Sequence, residues 1–450
     1  MNRHEKTKTE RTQMEKMMLS QISRRSFIRS ATAAGVAASM TGSLRGQDKA
    51  VSAAEKINVG VIGCGGMGNA NMNEVKGQKD VNIVGLADVD TKHLAQTIAN
   101  AKEAGHNPTG YADYRKLLER NDLDGVIIAT PDHWHAIPAI HAAQAEKDIY
   151  CQKPLTHNLH EGRVMVQAAR KHKRVTQMGN QIHATENYHR VAEIIQSGVL
   201  GDIGLIRVWM AENRGPGGRG TAPEAQPPAE LDYDAWLGPA PKKPYTKLRS
   251  HFHWRYFWDF GGGHFLDFVC HLHDLVHWGM QVNAPLTATA SGSKYHVKDD
   301  SDTPNTLIAA FEYPNFMVEW SMTGTNAHGL EGRGSGVMFH GTKAALHCHY
   351  GDFVIIPENK DEPIVLPEPT LPRSPGQERQ WLDHIKTREL CDCDFEYGHR
   401  LTSVGHLGNI AYRTGEKLQW DAAAERITNH KAANALLTRE YRSPYTLPKV

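Results

Sequence analysis

The chain has 450 residues, 40% hydrophobic and 22% charged, with Lys+Arg 51 against Asp+Glu 50. That balance offers no basic stripe for nucleic acid and no acidic tail, so it points to small-molecule chemistry, and the length allows two cores of ordinary size. Cys64, Cys151, Cys270, Cys348, Cys391 and Cys393 are scattered, not spaced as a disulfide or metal framework, so no metal is expected.

Near the N-terminus, Ser23-Arg24-Arg25-Ser26-Phe27-Ile28-Arg29 reads as a twin-arginine export signal. The Ala-rich stretch 30–39 suits a signal h-region and is too short to span a bilayer. Residues 1–53 are therefore expected to be signal and linker, removed near Val51-Ser52-Ala53, and the mature protein to be periplasmic with no membrane insertion.

From 56 to 178, short apolar runs alternate with amphipathic segments, the pattern of parallel βαβ units. Strands are expected at 57–62, 81–87, 125–129, 148–151 and 174–178, with helices at 91–104, after Asp113, at 135–145 and at 161–172. Between the first strand and its helix, Gly63-Cys64-Gly65-Gly66-Met67-Gly68 spells G-x-G-x-x-G, and Asp88 follows about 20 residues on at the end of the next strand. Gly63 permits a tight turn, Gly65 lets backbone approach a pyrophosphate, and Gly68 allows close helix packing. The helix N–H groups around Gly66 and Met67 then meet the negative charge. Asp88 is expected to bind the ribose diol and repel a 2′-phosphate, favouring NAD over NADP.

Past Gly179 the composition changes. Helices are expected at 188–197, 378–388 and 398–415, and strands at 204–210, 287–291, 306–313, 316–322, 336–340 and 353–356. Residues 214–230 read as a long Gly/Pro-rich loop. The expected class is α/β, a Rossmann domain at 56–178 followed by an α+β domain at 179–450 with an open, mostly antiparallel sheet. If a helix starts at the triple glycine 261–263, then His264, Asp267, His271 and Asp274 share one face among apolar neighbours. An acid and an imidazole one turn apart suit proton transfer, and the same stripe reads equally well as a solvated face. A metal site through His271 and His273 is disfavoured, because residues two apart on a helix do not face each other. His183, Trp254, Arg255, Tyr256 and Trp258 offer flat or polar edges to a sugar.

The glycine fingerprint, Thr130-Pro131-Asp132-His133-Trp134-His135, Gln152-Lys153-Pro154 and segment 261–274 together resemble the Gfo/Idh/MocA oxidoreductases, over nearly all of the mature chain. Segment 407–415 also resembles the C-terminal part of secreted members. The resemblance implies a carbohydrate bound against a tightly held NAD, and homo-oligomers joined through their sheets. It carries the lysine of an E-K-P motif onto Lys153, and the acid and imidazole of G-G-G-x-x-x-D-x-x-x-H onto Asp267 and His271. These would position and deprotonate a sugar hydroxyl. Thr130, His135 and Lys153 join the expected cofactor set, and His264 the substrate set. Gln152 replaces the usual Glu and Asp132 the usual Asn, so Asp132 is expected to compensate in part for the charge missing beside Lys153. The leading expectation is NAD-dependent oxidation of a sugar, cyclitol or glycoside. Two alternatives are a redox-neutral glycoside-cleaving enzyme working through a keto intermediate and a cofactor-binding protein without turnover.

Overall fold

Apolar runs too short for helices make the first sheet. The structure is a computed structural model and describes residues 56–450, so the export signal read at 23–29 lies outside the described residues. In chain order the first elements are β1 (Ile57–Ile62), α1 (Gly66–Val75), β2 (Val81–Ala87), α2 (Thr91–Glu103), β3 (Thr109–Tyr111) and α3 (Tyr114–Leu118). β4 (Gly125–Ile128), α4 (Ala136–Gln144), β5 (Asp148–Gln152), α5 (Leu159–Lys171) and β6 (Thr176–Gly179) follow. The strands are all parallel in the order β3-β2-β1-β4-β5-β6. In this doubly wound order the chain reverses between β1 and β4, which opens a crevice at the carboxyl ends of the strands.

Helix starts follow capping chemistry. Asp90, Asp113 and Asn158 accept hydrogen bonds from first-turn N–H groups of α2, α3 and α5. α1 follows Gly65 with no capping side chain.

After Gly179 come α6 (Glu186–Gln196), β7 (Ile203–Ala211), α7 (Tyr233–Leu237), α8 (Gly263–Leu272) and α9 (Asp274–Gly279). β8 (Thr287–Ser293), β9 (Thr306–Glu312), β10 (Met317–Thr323), β11 (Ser335–Gly341), β12 (Ala344–Cys348) and β13 (Phe353–Pro357) form the run of strands. α10 (Gln377–Thr387), α11 (Phe395–Thr414), β14 (Leu418–Asp421) and β15 (Arg426–Ile427) close the chain. The second sheet is ordered β13-β12-β11-β7-β10-β9-β8-β14-β15. Only its β7–β10 pair is parallel. Its inner face packs on α6, α8, α9 and α11 around Phe265, Phe311, Trp320 and Phe339, each worth about 1.5–3 kcal/mol when fully buried.

The first sheet ends with β6 at Gly179, and the C-terminal chain returns to it. α10 packs on α1, β5 and β6, and its buried Trp381 meets Tyr150 edge-on. Tyr441, Tyr445 and Leu447 join the first sheet's core. α11 runs against both α5 and α8. At Gly162 an added Cβ would lie 2.3 Å from His399 Nδ1, so that helix contact depends on a bare backbone. No helix among the described residues is long and apolar enough to cross a membrane.

Candidate active site

At the end of β1 the chain turns through Gly63, φ +91°. A Cβ there would come within 2.8 Å of the Ala129–Thr130 peptide, and one on Gly68 within 1.8 Å of the Gly63 carbonyl oxygen. Both positions require glycine. At Gly65 and Gly66 an added Cβ would meet nothing within 4 Å. Space is thus held open at the uncapped end of α1, where free N–H groups and the helix dipole favour an anion. Met67 is 39% exposed on the first turn.

Asp88 follows β2 and ties this turn down. Its Oδ2 accepts from Cys64 N at 2.6 Å and its Oδ1 from Asp90 N at 2.8 Å, leaving each oxygen further lone pairs for a diol. Burial pushes the Asp88 carboxyl up, against the pull of those two N–H groups. Thr130 Oγ1 is buried without a hydrogen-bond partner. The open glycines, the orphaned hydroxyl and the strand-end carboxylate fit a dinucleotide, with Gly65 and Gly66 at its pyrophosphate and Asp88 at a ribose.

Lys153 follows β5, and α8 carries the groups that meet it. α8 starts at Gly263 (φ +75°), where a Cβ would crowd Thr303 at 2.8 Å. Asn409 of α11 donates to Gly262 O at 2.9 Å, which gives the 407–415 segment a role in setting that start. Lys153 Nζ donates to Asp267 Oδ1 at 2.7 Å and to Asp267 O at 2.9 Å, and Arg255 Nε lies 3.8 Å from the same carboxylate. Burial alone would raise the Asp267 carboxyl, but Lys153 and Arg255 outweigh it and hold it well below the ordinary range.

One turn further, His271 Nδ1 lies 3.1 Å from Asn180 Oδ1, while Asn180 Nδ2 donates to Cys270 O at 2.8 Å. Because a carbonyl only accepts, the amide nitrogen must face Cys270, and its oxygen must then accept from His271. The imidazole therefore carries its proton on Nδ1 and keeps Nε2 as the free base. Burial, then the charge of Lys153, lowers its pKa to about 3. Asn180 was not legible as a site residue; its one signal was its place at the carboxyl end of a parallel strand.

Beside this line opens a polar recess lined by Glu212, Arg214, Arg219, Tyr256, His264 and Asn305. Arg219 lies 3.6 Å above the Tyr256 ring and pairs with Glu212 at 2.9 Å; Arg214 bonds the same carboxylate. Neither ring nitrogen of His264 has a hydrogen-bond partner, and the same holds for both amide atoms of Asn305. Burial lowers His264 to about 4 against the opposing charge of Glu212, leaving it neutral near pH 7. Each buried unsatisfied polar group costs about 1–3 kcal/mol. The space in this recess is about 20 Å³, room for about one water, so its unpaired groups can meet a water or a single polar substituent of a ligand and not a whole sugar ring.

Residues 57–180 match the oxidoreductase family's NAD-binding Rossmann fold, and residues 187–447 match its C-terminal alpha/beta domain. The chain belongs to the Gfo/Idh/MocA oxidoreductase family. Myo-inositol 2-dehydrogenase of Thermotoga maritima is 25% identical over 152 residues, 34% of this chain and 44% of that protein. A glycosyl hydrolase family 109 protein of Stenotrophomonas maltophilia is 36% identical over 136 residues, 29% of each chain. The chain thus spans less than half the length of these curated relatives. Among solved structures, WlbA dehydrogenase from Bordetella pertussis, in complex with NADH and UDP-GlcNAcA, shares the fold at a TM-score of 0.60 and 17% identity, covering 81% of this chain and 99% of that one. Levoglucosan dehydrogenase, in complex with NADH and L-sorbose, does so at 0.59 and 17%, with the same coverage.

Against the Gfo/Idh/MocA pattern, the two departures have definite consequences. Gln152 donates to Asn71 Oδ1 on α1 at 2.8 Å, away from Lys153. Asp132 does not stand in for the missing Glu, as the sequence led us to expect. Burial pushes its carboxyl well up, and although Arg255 and Lys153 oppose this, Asp267 adds to the rise. The negative charge that pairs with Lys153 comes from Asp267.

Four further expectations are corrected. His135 is buried with its ring nitrogens 2.9 Å from Pro154 O and 2.8 Å from Thr130 O; neutral, it donates to one of these carbonyls, so it braces the loops around Lys153 and both its nitrogens are turned to backbone. The helix breaks at His273, and Asp274 leaves the face of His264, Asp267 and His271. Asp274 instead binds His183 at 2.8 Å; the His183 ring stacks on Trp278, which removes it from the substrate set. Trp254 is buried beneath the Arg255 guanidinium, 4.3 Å away, and supports that group without lining the recess. Arg255, Tyr256 and His264 are the expected substrate residues that the fold does gather around Asp267.

Proposed function

We propose that this protein is an NAD-dependent oxidoreductase acting on a hydroxyl of a sugar, cyclitol or glycoside. One arrangement carries the reading: His271, its Nδ1 held on Asn180 Oδ1 and its Nε2 thereby assigned as the free base, stands one turn from a Lys153–Asp267 pair. When bound along Gly65, Gly66 and Asp88, the dinucleotide supplies a two-electron acceptor. His271 Nε2 takes the proton of the reacting hydroxyl. Lys153, anchored on Asp267 by two of its N–H groups, directs the third to the same oxygen as negative charge develops there. Arg255 and His264 orient neighbouring hydroxyls. The test is a screen of sugars, cyclitols and glycosides followed by NADH absorbance, with His271→Ala as control. We expect that variant to lose about 10²–10⁴-fold in kcat with NAD affinity retained; a variant with unchanged kcat removes the assignment.

The family 109 relatives support a second reading, in which a glycoside is oxidised transiently, its leaving group eliminated and the sugar reduced again. Release of free sugar without net NADH separates this from simple dehydrogenation.

The signal read at 23–29 supports export through the twin-arginine route. A periplasmic enzyme would then keep its dinucleotide through repeated turnovers. Recovery of dinucleotide-loaded protein from the periplasm tests this, with Arg24→Lys/Arg25→Lys as the export control. On the second sheet, the outward positions Ile308, Met317, Val354 and Ile356 are exposed apolar side chains, which supports pairing of two copies through this face.

A further inference from the structure

Beside Asp88, whose Oδ1 accepts from Asp90 N, three side chains of metal-ligand type meet where the β2–α2 turn touches the segment between α7 and α8. Asp90 caps α2: its Oδ1 accepts from Lys92 N and His93 N, both at 2.9 Å. The other oxygen, Oδ2, lies 3.1 Å from His251 Nε2. His93 stands on the first turn of α2, its ring centroid 4.4 Å from that of His251. One ligand atom from each of the three lies within 4.8 Å of the other two. Asp90 is 3% exposed and the His251 side chain 38%, so the cluster has a buried anchor and an open side.

The β2–α2 turn is also tied by backbone bonds to residues 230–232, which precede α7. Thr91 N donates to Glu230 O at 2.9 Å, and Asp232 N to Val89 O at 3.0 Å. The capping bonds on Oδ1 fix the carboxylate's orientation, as outer hydrogen bonds do around metal ligands. Two imidazoles and one carboxylate oxygen are the donor set of zinc-class ions; magnesium and calcium prefer all-oxygen surroundings. Three protein ligands leave a position for water on the exposed side.

We propose that Asp90, His93 and His251 bind one borderline divalent cation, zinc or a close analogue, which pins the loop bearing Arg255 and Tyr256 to the turn bearing Asp88. The ion bridges the sides of the crevice without touching the reacting hydroxyl, and His251 precedes Arg255 by four residues.

The experiment uses mature protein stripped by chelator and then titrated with ZnCl2 by calorimetry and with CoCl2 by visible spectroscopy. We expect a single one-equivalent binding phase, visible cobalt bands and a rise in Tm on zinc addition. His93→Ala, His251→Ala and Asp90→Asn should each remove that phase. Asp90→Asn retains a capping side chain, so its loss of metal cannot be ascribed to an unfolded α2. The chain has 26 histidines, so weak zinc uptake elsewhere is the background these variants subtract. A wild-type protein without the one-equivalent phase, or three variants that all keep it, overturns the proposal.

Discussion

His271 and Asn180 are 91 residues apart in sequence and joined by a 3.1 Å contact that sets which imidazole nitrogen holds the proton. Since Asn180 also donates to Cys270 O, the amide cannot turn over without losing both bonds. Asn180→Ala frees the ring to adopt either tautomer. We expect kcat to fall about 10-fold or more, equivalent to ~1.4 kcal/mol, with a smaller change in KM. Steady-state kinetics on the substrate found by screening checks this; a loss of Tm with kcat unchanged would leave Asn180 as mere packing.

The acid limb of kcat/KM follows from the same environment. A general base must be unprotonated, and burial with the Lys153 charge puts His271 at about 3. The imidazole is then neutral throughout the pH range from 5 to 8, and no limb should appear near the ordinary histidine value of about 6.5. A pH profile that titrates at that value, and ceases to do so in His271→Gln, contradicts the buried geometry.

Much of this site could be read from the sequence where the chemistry is local. Gly63 to Gly68 and Asp88 lie within one βαβ unit, so strand, turn and next strand-end have fixed spacing, and Asp113 marked the start of α3 by capping. Asp267 and His271 were legible because four residues on one helix must share a face. The same rule failed for Asp274, since the helix breaks at His273 and nothing local marks that break. Asn180, Glu212 and Arg219 were out of reach because only tertiary packing brings them to α8. β12 was missed: Ala-Ala-Leu-His-Cys lacks a clean alternation, and its pairing with β11 and β13 makes it a strand.

Buried histidines make stability depend on pH. His133, His277 and His406 are lowered to about 3, and His135 and His264 to about 4, by burial in every case. In the unfolded chain each titrates near 6.5, so below that value the unfolded state binds more protons. Stability is therefore fully present above pH 6.5 and is lost as pH falls towards 4. Each such group can contribute a slope of up to about 1.4 kcal/mol per pH unit. Denaturant unfolding at pH 7.5, 6 and 5 should show a steep decline; a flat profile means that these imidazoles are solvated.

Asp88 should govern cofactor choice. Its carboxylate is placed for a ribose diol and opposes a 2′-phosphate. Asp88→Ser is expected to weaken NAD binding and narrow its advantage over NADP, as read by calorimetric titration with both. An unchanged ratio of the two affinities would move the ribose contact elsewhere.

Two glycines of one loop should respond oppositely to the same substitution. At Gly65 the backbone has φ −73° and an added methyl meets nothing within 4 Å, so Gly65→Ala costs the free protein little and its Tm should match wild type. If that space is kept for a pyrophosphate, the methyl intrudes on the ligand, and NAD affinity should drop sharply. At Gly68 the methyl would lie 1.8 Å from the Gly63 carbonyl oxygen, and α1 must shift off β1 to admit it. Overpacking of this kind costs about 1–3 kcal/mol or more, so Gly68→Ala should lower Tm even without ligand. Melting curves with and without NAD for both variants separate ligand space from packing. A Gly65→Ala protein that binds NAD as tightly as wild type would show that the open space in front of α1 is not where the dinucleotide lies.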